Sequence, residues 1–262
     1  MAHRLFSKGF ASGLQKTAVF LFLVLLLFSF SEANEIWLGL QGGLSLPNFS
    51  GGTTELSKGY TSRRAPFIGL AVGFVLSPSF AIRTEINYSS QGGQRNGMQP
   101  LAPDQAQGLP IPPELTLYAN FDNETIIDYL EIPLMAEFSS GRRVKFFANA
   151  GPYVGYRVRA KTVTSGMSTL YIDSSGNPLI IYGQALPPVS FDAETDVSGE
   201  INRLNLGLCA SLGAKIPFGP GLFALSARFS LGLSNIQSHP EITGRNRTGA
   251  FIVGVSYFCR LK

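Results

Sequence analysis

Few of the residue types that usually announce a chemistry are abundant in this chain. It has 2 cysteines and 2 histidines in 262 residues. No His/Cys cluster with ligand spacing occurs, so zinc and similar metal sites have nothing to build on, and no cofactor is expected. Charged residues are only 15% of the total. No basic stripe of the kind that follows a phosphate backbone is present, so no nucleic-acid partner is expected. Long apolar runs are also scarce. The one that exists, Ala18 to Phe30, is shorter than the roughly 20 apolar residues a spanning helix needs. No convincing amphipathic helix follows it.

That one run has a clear reading. Arg4, Lys8 and Lys16 precede it and Ser31-Glu32-Ala33 follows it, which is the order of a basic n-region, an h-region and a small-x-small cleavage site. Residues 1–33 are therefore expected to be a cleaved signal peptide, with 34–262 as a single mature domain. The residue directly after the cut is Asn34 and not a cysteine, so a lipoprotein anchor is not expected. Without the first 33 residues the basic and acidic counts are 18 and 16, a net charge of +2.

What the chain does have is glycine, 29 of them, and 16 prolines, with a mean hydropathy of +0.16. Hydropathy that high without long apolar runs must come from alternation. Residues 204–216, LNLGLCASLGAKI, show it: Leu204, Leu206, Leu208 and Leu212 alternate with Asn205, Cys209, Ser211 and Lys215. A period of two marks a strand with unlike faces.

Seven further segments share the pattern. The first carries Ile36, Leu38, Leu40 and Leu44, the second Ile68, Leu70, Val72, Phe74 and Leu76, and the third Phe80, Ile82, Ile86 and Tyr88. The fourth carries Leu130, Ile132, Leu134, Ala136 and Phe138, and the fifth Val144, Phe146, Ala148, Ala150, Val154 and Val158. The LNLGL stretch is the sixth. The seventh carries Phe223, Leu225, Ala227, Phe229, Leu231 and Leu233, and the eighth Phe251, Val253, Val255 and Tyr257.

Short turns (Ser77-Pro78-Ser79, Ser139 to Arg143, Pro217 to Gly221) alternate with long connections, of which those near 92–124 and 162–199 are the longest. An even strand number with tight turns at one end and long loops at the other is the pattern of an outer-membrane barrel. Phe80, Phe138, Phe146, Phe218, Phe223 and Tyr257 gather near the short-turn end, as an interfacial aromatic girdle does. The polar face carries Arg83, Glu85, Glu131, Glu137, Lys145, Arg157, Arg159, Arg203, Lys215 and Arg228. On a soluble sandwich these would be solvated. In a closed barrel they meet in a narrow lumen and have to pair, since an unpaired buried charge is costly. The signal peptide and the loop asymmetry favour the barrel. The expected fold is all-β, an eight-stranded antiparallel up-and-down transmembrane β-barrel with short periplasmic turns and long extracellular loops. Leu130, Ile132, Leu134, Leu204, Leu206, Leu208, Leu212, Leu225, Leu231, Val253 and Val255 are expected to face lipid.

Particular stretches carry a family likeness. YLEIPLMAEF (129–138), ANAGPYVGYRV (148–158), GLQGGLSLPN (39–48) and SLGLSNI (230–236) together resemble the small outer-membrane β-barrels of Bacteroidota often labelled PorT-like, over the whole span 34–262. The resemblance implies eight strands and both termini in the periplasm. Some relatives serve secretion or gliding machinery; nothing in these residues singles out that branch. One departure is the end of the chain, where Tyr257-Phe258 is followed by four more residues instead of closing on the aromatic.

Three local expectations follow from strand parity. Pro133, inside the fourth segment, removes a ladder hydrogen bond and predicts a local bulge. Cys209 shares the lumen face and Cys259 the outward face, two strands apart, so no disulfide is expected between them despite the oxidising compartment. The long charged lumen side chains should fill an eight-strand interior, so no nutrient pore is expected and a narrow pore is the one pore reading kept open.

For catalysis the mature chain offers His239, with Glu241 near it in sequence. A site at the barrel mouth that modifies lipid or lipopolysaccharide would need a carboxylate to orient that imidazole, but a lone loop histidine is more often solvated, and no enzyme is expected. Asp122, Asn123, Glu124 and Asp128 could hold calcium, though no recurring ligand pattern supports it. In the third loop, TLYIDSSGNPLIIYG (169–183) reads as a hairpin, able to extend the fifth and sixth strands above the membrane. Leu170, Ile172, Ile180 and Tyr182 would then either present a partner surface or pack with the second loop as a cap. The functional expectation is a non-enzymatic barrel, structural or binding an extracellular or envelope protein through loops 92–124 and 162–199, with outer-membrane lipid and lipopolysaccharide around it. A component of a secretion machine is the other reading kept open.

Overall fold

The computed structural model describes residues 33–101 and 115–261. The apolar run Ala18–Phe30 with its basic flank, and residues 102–114 of the second long connection, lie outside the described residues. The strands in chain order are β1 (Glu35–Ser50), β2 (Ala65–Ser77), β3 (Phe80–Pro100), β4 (Tyr118–Ser140) and β5 (Lys145–Ser165). Five short pieces follow in the third long connection: β6 (Met167–Ser168), β7 (Ile180–Ile181), β8 (Gln184–Ala185), β9 (Val189–Ser190) and β10 (Ala193–Asp196). Then come β11 (Leu204–Phe218), β12 (Gly221–Gly232) and β13 (Arg247–Arg260).

The eight long strands pair antiparallel in the order β5-β11-β12-β13-β1-β2-β3-β4, and β4 pairs back onto β5. The sheet is thus a closed up-and-down barrel with no free edge. Its faces are inverted relative to a water-soluble sandwich. Leu40 and Leu212 are 60% and 67% exposed on the outside, whereas Gln41, Asn87, Asn149 and Asn205 are buried inside. A face of exposed leucines and valines around a buried polar interior is stable only where the surrounding solvent is apolar. Leu130, Ile132, Leu134, Leu204, Leu206, Leu208, Leu212, Leu225, Leu231, Val253 and Val255 all stand on this outer face, half-buried or exposed. Phe80, Phe138, Phe146, Phe218 and Phe223 are exposed at the short-turn end, and the Tyr257 hydroxyl there donates to the Phe218 carbonyl at 3.1 Å.

The inner face is not wholly polar. Phe147, Tyr153 and Phe258 point inward and are buried. Each sits opposite a glycine in register: Phe147 opposite Gly213, Tyr153 opposite Gly207, and Phe258 opposite Gly39. The missing side chain leaves room for the ring. A Cβ on Gly213 would meet the Leu225 carbonyl oxygen and come within 2.6 Å of the Phe147 ring.

Two expectations about strand regularity need correction. Pro133 causes no bulge: β3–β4 and β4–β5 each keep one register on either side of it, with only pairs at the proline and within two residues of it missing. The Thr84 hydroxyl donates to the Pro133 carbonyl at 2.9 Å, which satisfies the backbone there without an extra residue. The bulge lies in β5 instead. Asp128 pairs with Arg159 but Tyr129 with Arg157, so Val158 is the extra residue. Above it the parity of β5 reverses. Arg159 and Lys161 turn outward and Ala160 inward, opposite to the simple alternation read from the sequence. Both cysteines are free, Cys209 buried and Cys259 exposed, with β12 between their strands.

Replacing Gly213 by valine should destabilise the barrel by about 1–3 kcal/mol through overpacking against Phe147. It should appear as a lower urea midpoint for loss of the folded band on unheated gels, while Gly73→Val, whose Cβ would meet nothing within 4 Å, should shift the midpoint far less.

Candidate functional site

Inside the barrel, β3, β4, β11 and β12 project one connected set of charges. Arg228 on β12 reaches across and grips both carboxylate oxygens of Glu85 on β3 at 2.7 Å each. Arg83 Nε lies 2.7 Å from the same carboxylate and its Nη1 lies 3.6 Å from Glu137 on β4. Lys215 on β11 pairs with Glu137 from the other side. The order Lys215–Glu137–Arg83–Glu85–Arg228 alternates in sign, so each carboxylate has two cations. Neutral side chains complete it. Gln41 donates to Glu85 at 2.8 Å and accepts from Arg83 at 2.8 Å, and the Ser211 hydroxyl accepts from Arg228 Nε at 3.0 Å. Rings flank the cations, with Arg83 5.0 Å from the Phe258 centroid and Lys215 4.8 Å from that of Phe147. The members are largely removed from solvent, and such a set depends on its charges being paired.

Half of the sequence-expected lumen charges are in this set: Arg83, Glu85, Glu137, Lys215 and Arg228. Glu131 is also inside and buried, but its contact is the Gln91 amide at 3.1 Å, and among the described residues it has no ion pair. Arg157 is half-buried across from Tyr129, and among the described residues its Nε has no hydrogen-bond partner. Three expectations are corrected. Arg159 is outside, turned there by the Val158 bulge, and binds Asp128 at 2.7 Å. Arg203 precedes β11 and is exposed. Lys145 has the inward parity but sits at the open mouth, exposed, with no ion pair among the described residues.

Two apolar clusters pack inside the lumen alongside the charges. At the short-turn end Phe147, Phe258, Ala71 and Ala224 pack together with Trp37 and Leu222. At the long-loop end Ile127, Tyr129 and Ala160 pack with Ile201 and Ile236. The last two come from the connections before β11 and after β12, which are tied together by the Asn202 amide donating to the Ile236 carbonyl at 2.7 Å. The interior is therefore filled by its own side chains except at the short-turn mouth, where a cavity remains.

A closed eight-strand barrel with an apolar exterior, a charged interior and alternating short and long connections has one known setting. The family model described as "Outer membrane protein beta-barrel domain" matches residues 28–238. The chain belongs to this family. Its short turns are thus periplasmic and its long connections extracellular, and both ends of the barrel, at β1 and β13, start and finish on the periplasmic side. No curated protein matches the chain. Among solved structures, Ail, the attachment invasion locus protein of Yersinia pestis, is similar at 11% identity and a TM-score of 0.37, over 86% of this chain and 99% of that one. Neisserial surface protein A is similar at 11% identity and TM-score 0.37, over 84% and 95%. The outer membrane protease OmpT of Escherichia coli is similar at 9% identity and TM-score 0.33, over 87% and 97%.

On the extracellular side of this outer-membrane barrel, β3 and β4 run on past the barrel, so residues 92–100 and 118–124 are strand where the sequence reading placed loop. The third connection folds against them. Tyr118 and Tyr171 exchange backbone hydrogen bonds of 2.8 Å, and Leu170 and Leu179 pack with Leu101, Leu117 and Phe121. The expected hairpin in 169–183 is present, turned at Asp173-Ser174-Ser175-Gly176. Its turn is held by Asp173, whose carboxylate accepts from Asn177 and Ser175, and these hydrogen bonds keep the carboxyl below the ordinary aspartate value. This hairpin leans on β4 and does not prolong β5 and β11. Leu170 is thus part of a cap, while Ile172, Ile180 and Tyr182 are exposed.

The other candidate sites are dispersed. His239 Nδ1 lies 3.5 Å from Glu241 Oε1, both side chains exposed, beside a four-residue helix (Pro240–Thr243). Glu124 binds Arg63 at 2.6 Å and Asp128 binds Ser90 and Arg159. Both acids are thus committed to cations or hydroxyls on the outer wall. Among the described residues no group of three or more His, Cys, Asp or Glu is placed to hold a metal.

Arg228→Met alone should destabilise the barrel by about 3 kcal/mol, because it removes the two-pronged partner of buried Glu85 and leaves it Arg83 as its one cation. The double replacement Arg228→Met with Glu85→Leu should recover much of that loss. A urea-midpoint double-mutant cycle checks this, and an additive cycle would mean the pair is not coupled.

Proposed function

We propose that the chain is a non-enzymatic outer-membrane barrel that acts through its extracellular cap, which contacts an extracellular or envelope protein. The observation that carries this reading is the tip of the β7–β8 hairpin. It turns through Tyr182 and Gly183 with φ of 53° and 81°, and Tyr182 is fully exposed, at 102%. An aromatic residue in a left-handed conformation costs roughly 1–2 kcal/mol and here covers nothing of its own fold. Projecting rigid tyrosines are the usual anchors of protein interfaces. Met167, Ile172, Ile180 and Val189 are exposed on the same connection. Residues 162–202 contain Asp173, Asp192, Glu194, Asp196 and Glu200 and no lysine or arginine, so the complementary face is a basic one with an apolar socket.

Outer-membrane lipid is the second partner. Arg159, turned outward by the bulge, and exposed Arg64 lie above the lipid-facing Tyr88 and Leu130, at a level that suits the anionic headgroups of lipopolysaccharide. A side-chain-filled lumen argues against a pore. Membership of the PorT-like group, and with it a place in a secretion machine, is a narrower form of the same reading; its support is the YLEIPL and AGPYVGY stretches.

A photo-crosslinker at Met167 or Ile180 in cells should give a discrete protein adduct, and one at Arg143 in a periplasmic turn should not give the same one. Tyr182→Gly should abolish that adduct while leaving the folded band intact, since glycine relieves the strained turn. Lipid adducts alone from the loop positions would end the proposal. His239→Ala should leave the lipid A profile unchanged; an altered profile would restore the enzymatic reading.

A further inference from the structure

The periplasmic mouth of the barrel holds a cavity of about 380 Å³, within the size range of small-molecule sites. Its apolar wall includes Trp37, Val75, Leu222 and Phe258, and its charged wall Arg83, Lys145, Lys215, Glu137 and Glu35. The two acids are already engaged. Glu137 is shared by Lys215 and Arg83, and Glu35 takes Arg260 at 3.2 Å and the Trp37 indole N–H at 3.0 Å.

The lysines are arranged unusually. Lys145 on β5 and Lys215 on β11 are direct partners in register, on the same inward face. Like charges directly opposite each other in an antiparallel pair are destabilising. Only one of the two has a carboxylate among the described residues, since Glu137 goes to Lys215 and Lys145 goes without. An uncompensated cation therefore overlooks a cavity whose other charges are already paired and whose apolar wall is aromatic and aliphatic.

We propose that this vestibule binds an organic carboxylate from the periplasm, its acid group between Lys145 and Lys215 and its apolar body against Trp37 and Phe258. The bound acid supplies the charge that the Lys145–Lys215 pair lacks. Phe258 is already held by Arg83 at 5.0 Å and Lys215 at 5.5 Å from its centroid, so the apolar wall is fixed before the ligand arrives. The carboxylate could belong to a free small acid or to the C-terminus of a polypeptide; the chemistry recognised is the same. This site is at the opposite end of the barrel from the extracellular cap and does not depend on it.

The test uses the full chain refolded in uncharged detergent, with protein-free micelles as the blank. Trp37 is the single tryptophan of the sequence, so its emission reports on the vestibule alone. Calorimetric titration with 3-phenylpropionate should be saturable and about tenfold or more tighter than with 3-phenylpropan-1-ol, and Trp37 emission should change with the same midpoint. Lys145→Glu should weaken the acid by about tenfold while keeping the folded band, because Lys145 is exposed at the rim and makes no contact the fold needs. A short peptide ending in phenylalanine, as free acid and as amide, separates the sources. If the peptide acid binds more tightly than 3-phenylpropionate, a polypeptide terminus is the ligand; if it binds more weakly, a free acid is. The absence of saturable binding by either acid would overturn the proposal, as would equal affinity for acid and alcohol, or a Lys145→Glu titration that overlays the wild type.

Discussion

The pairing of β4 with β5 is the interaction on which the rest of this structure depends. In hydrocarbon a backbone N–H or C=O without a partner costs several kcal/mol, so a sheet can cross a membrane only if it closes on itself. That single requirement fixes the closed sheet, and the apolar surroundings turn the polar side chains of the membrane-spanning stretch inward. It also explains why the interruptions are handled locally. The carbonyl of Pro133 is satisfied by the Thr84 hydroxyl, and the extra residue at Val158 sits toward the extracellular end, where water and headgroups are near.

Closure creates the second problem, which is what to put inside. The chain uses a sign-alternating series of five charges together with two apolar clusters. The long side chains fill volume and the alternation cancels their fields. Glycines opposite Phe147, Tyr153 and Phe258 let rings enter an interior that would otherwise be too narrow for them. The polar and apolar parts of the filling are interdependent, because Arg83 and Lys215 lie over the same rings that stopper the periplasmic end.

Much of this was legible from parity alone. Alternation in LNLGLCASLGAKI placed Leu204, Leu206, Leu208 and Leu212 outside and Ser211 and Lys215 inside, and the same rule separated Cys209 from Cys259. Parity failed where one residue was inserted. Nothing in YRVRAK announces that Val158 is extra, so Arg159 was assigned to the lumen although its side chain points out. Arg203 was misplaced for a simpler reason, being one residue before its strand begins. The inward rings were missed because aromatic residues were sought only for the girdle. The glycines at 39, 207 and 213, on the lumen parity, were the available signal, since a gap on one strand has to be filled from its neighbour. The extension of β3 and β4 was hidden by residues such as Gly92, Gly97 and Asn96, which read as loop until the partner strand supplies their hydrogen bonds.

The unequal strand lengths have a consequence of their own. β4 runs for 23 residues and β11 for 15, and at roughly 3.3 Å per residue the difference is about 25 Å along the strand. The wall formed by β3, β4 and β5 therefore stands well above the opposite wall, and the barrel ends in a slope. Sugar chains anchored in the surrounding leaflet would bury the low side first. The high side, with the hairpins that lean on it, is the part left for antibodies, phage and other cells to reach, so variation imposed by such encounters would concentrate on one flank of the rim.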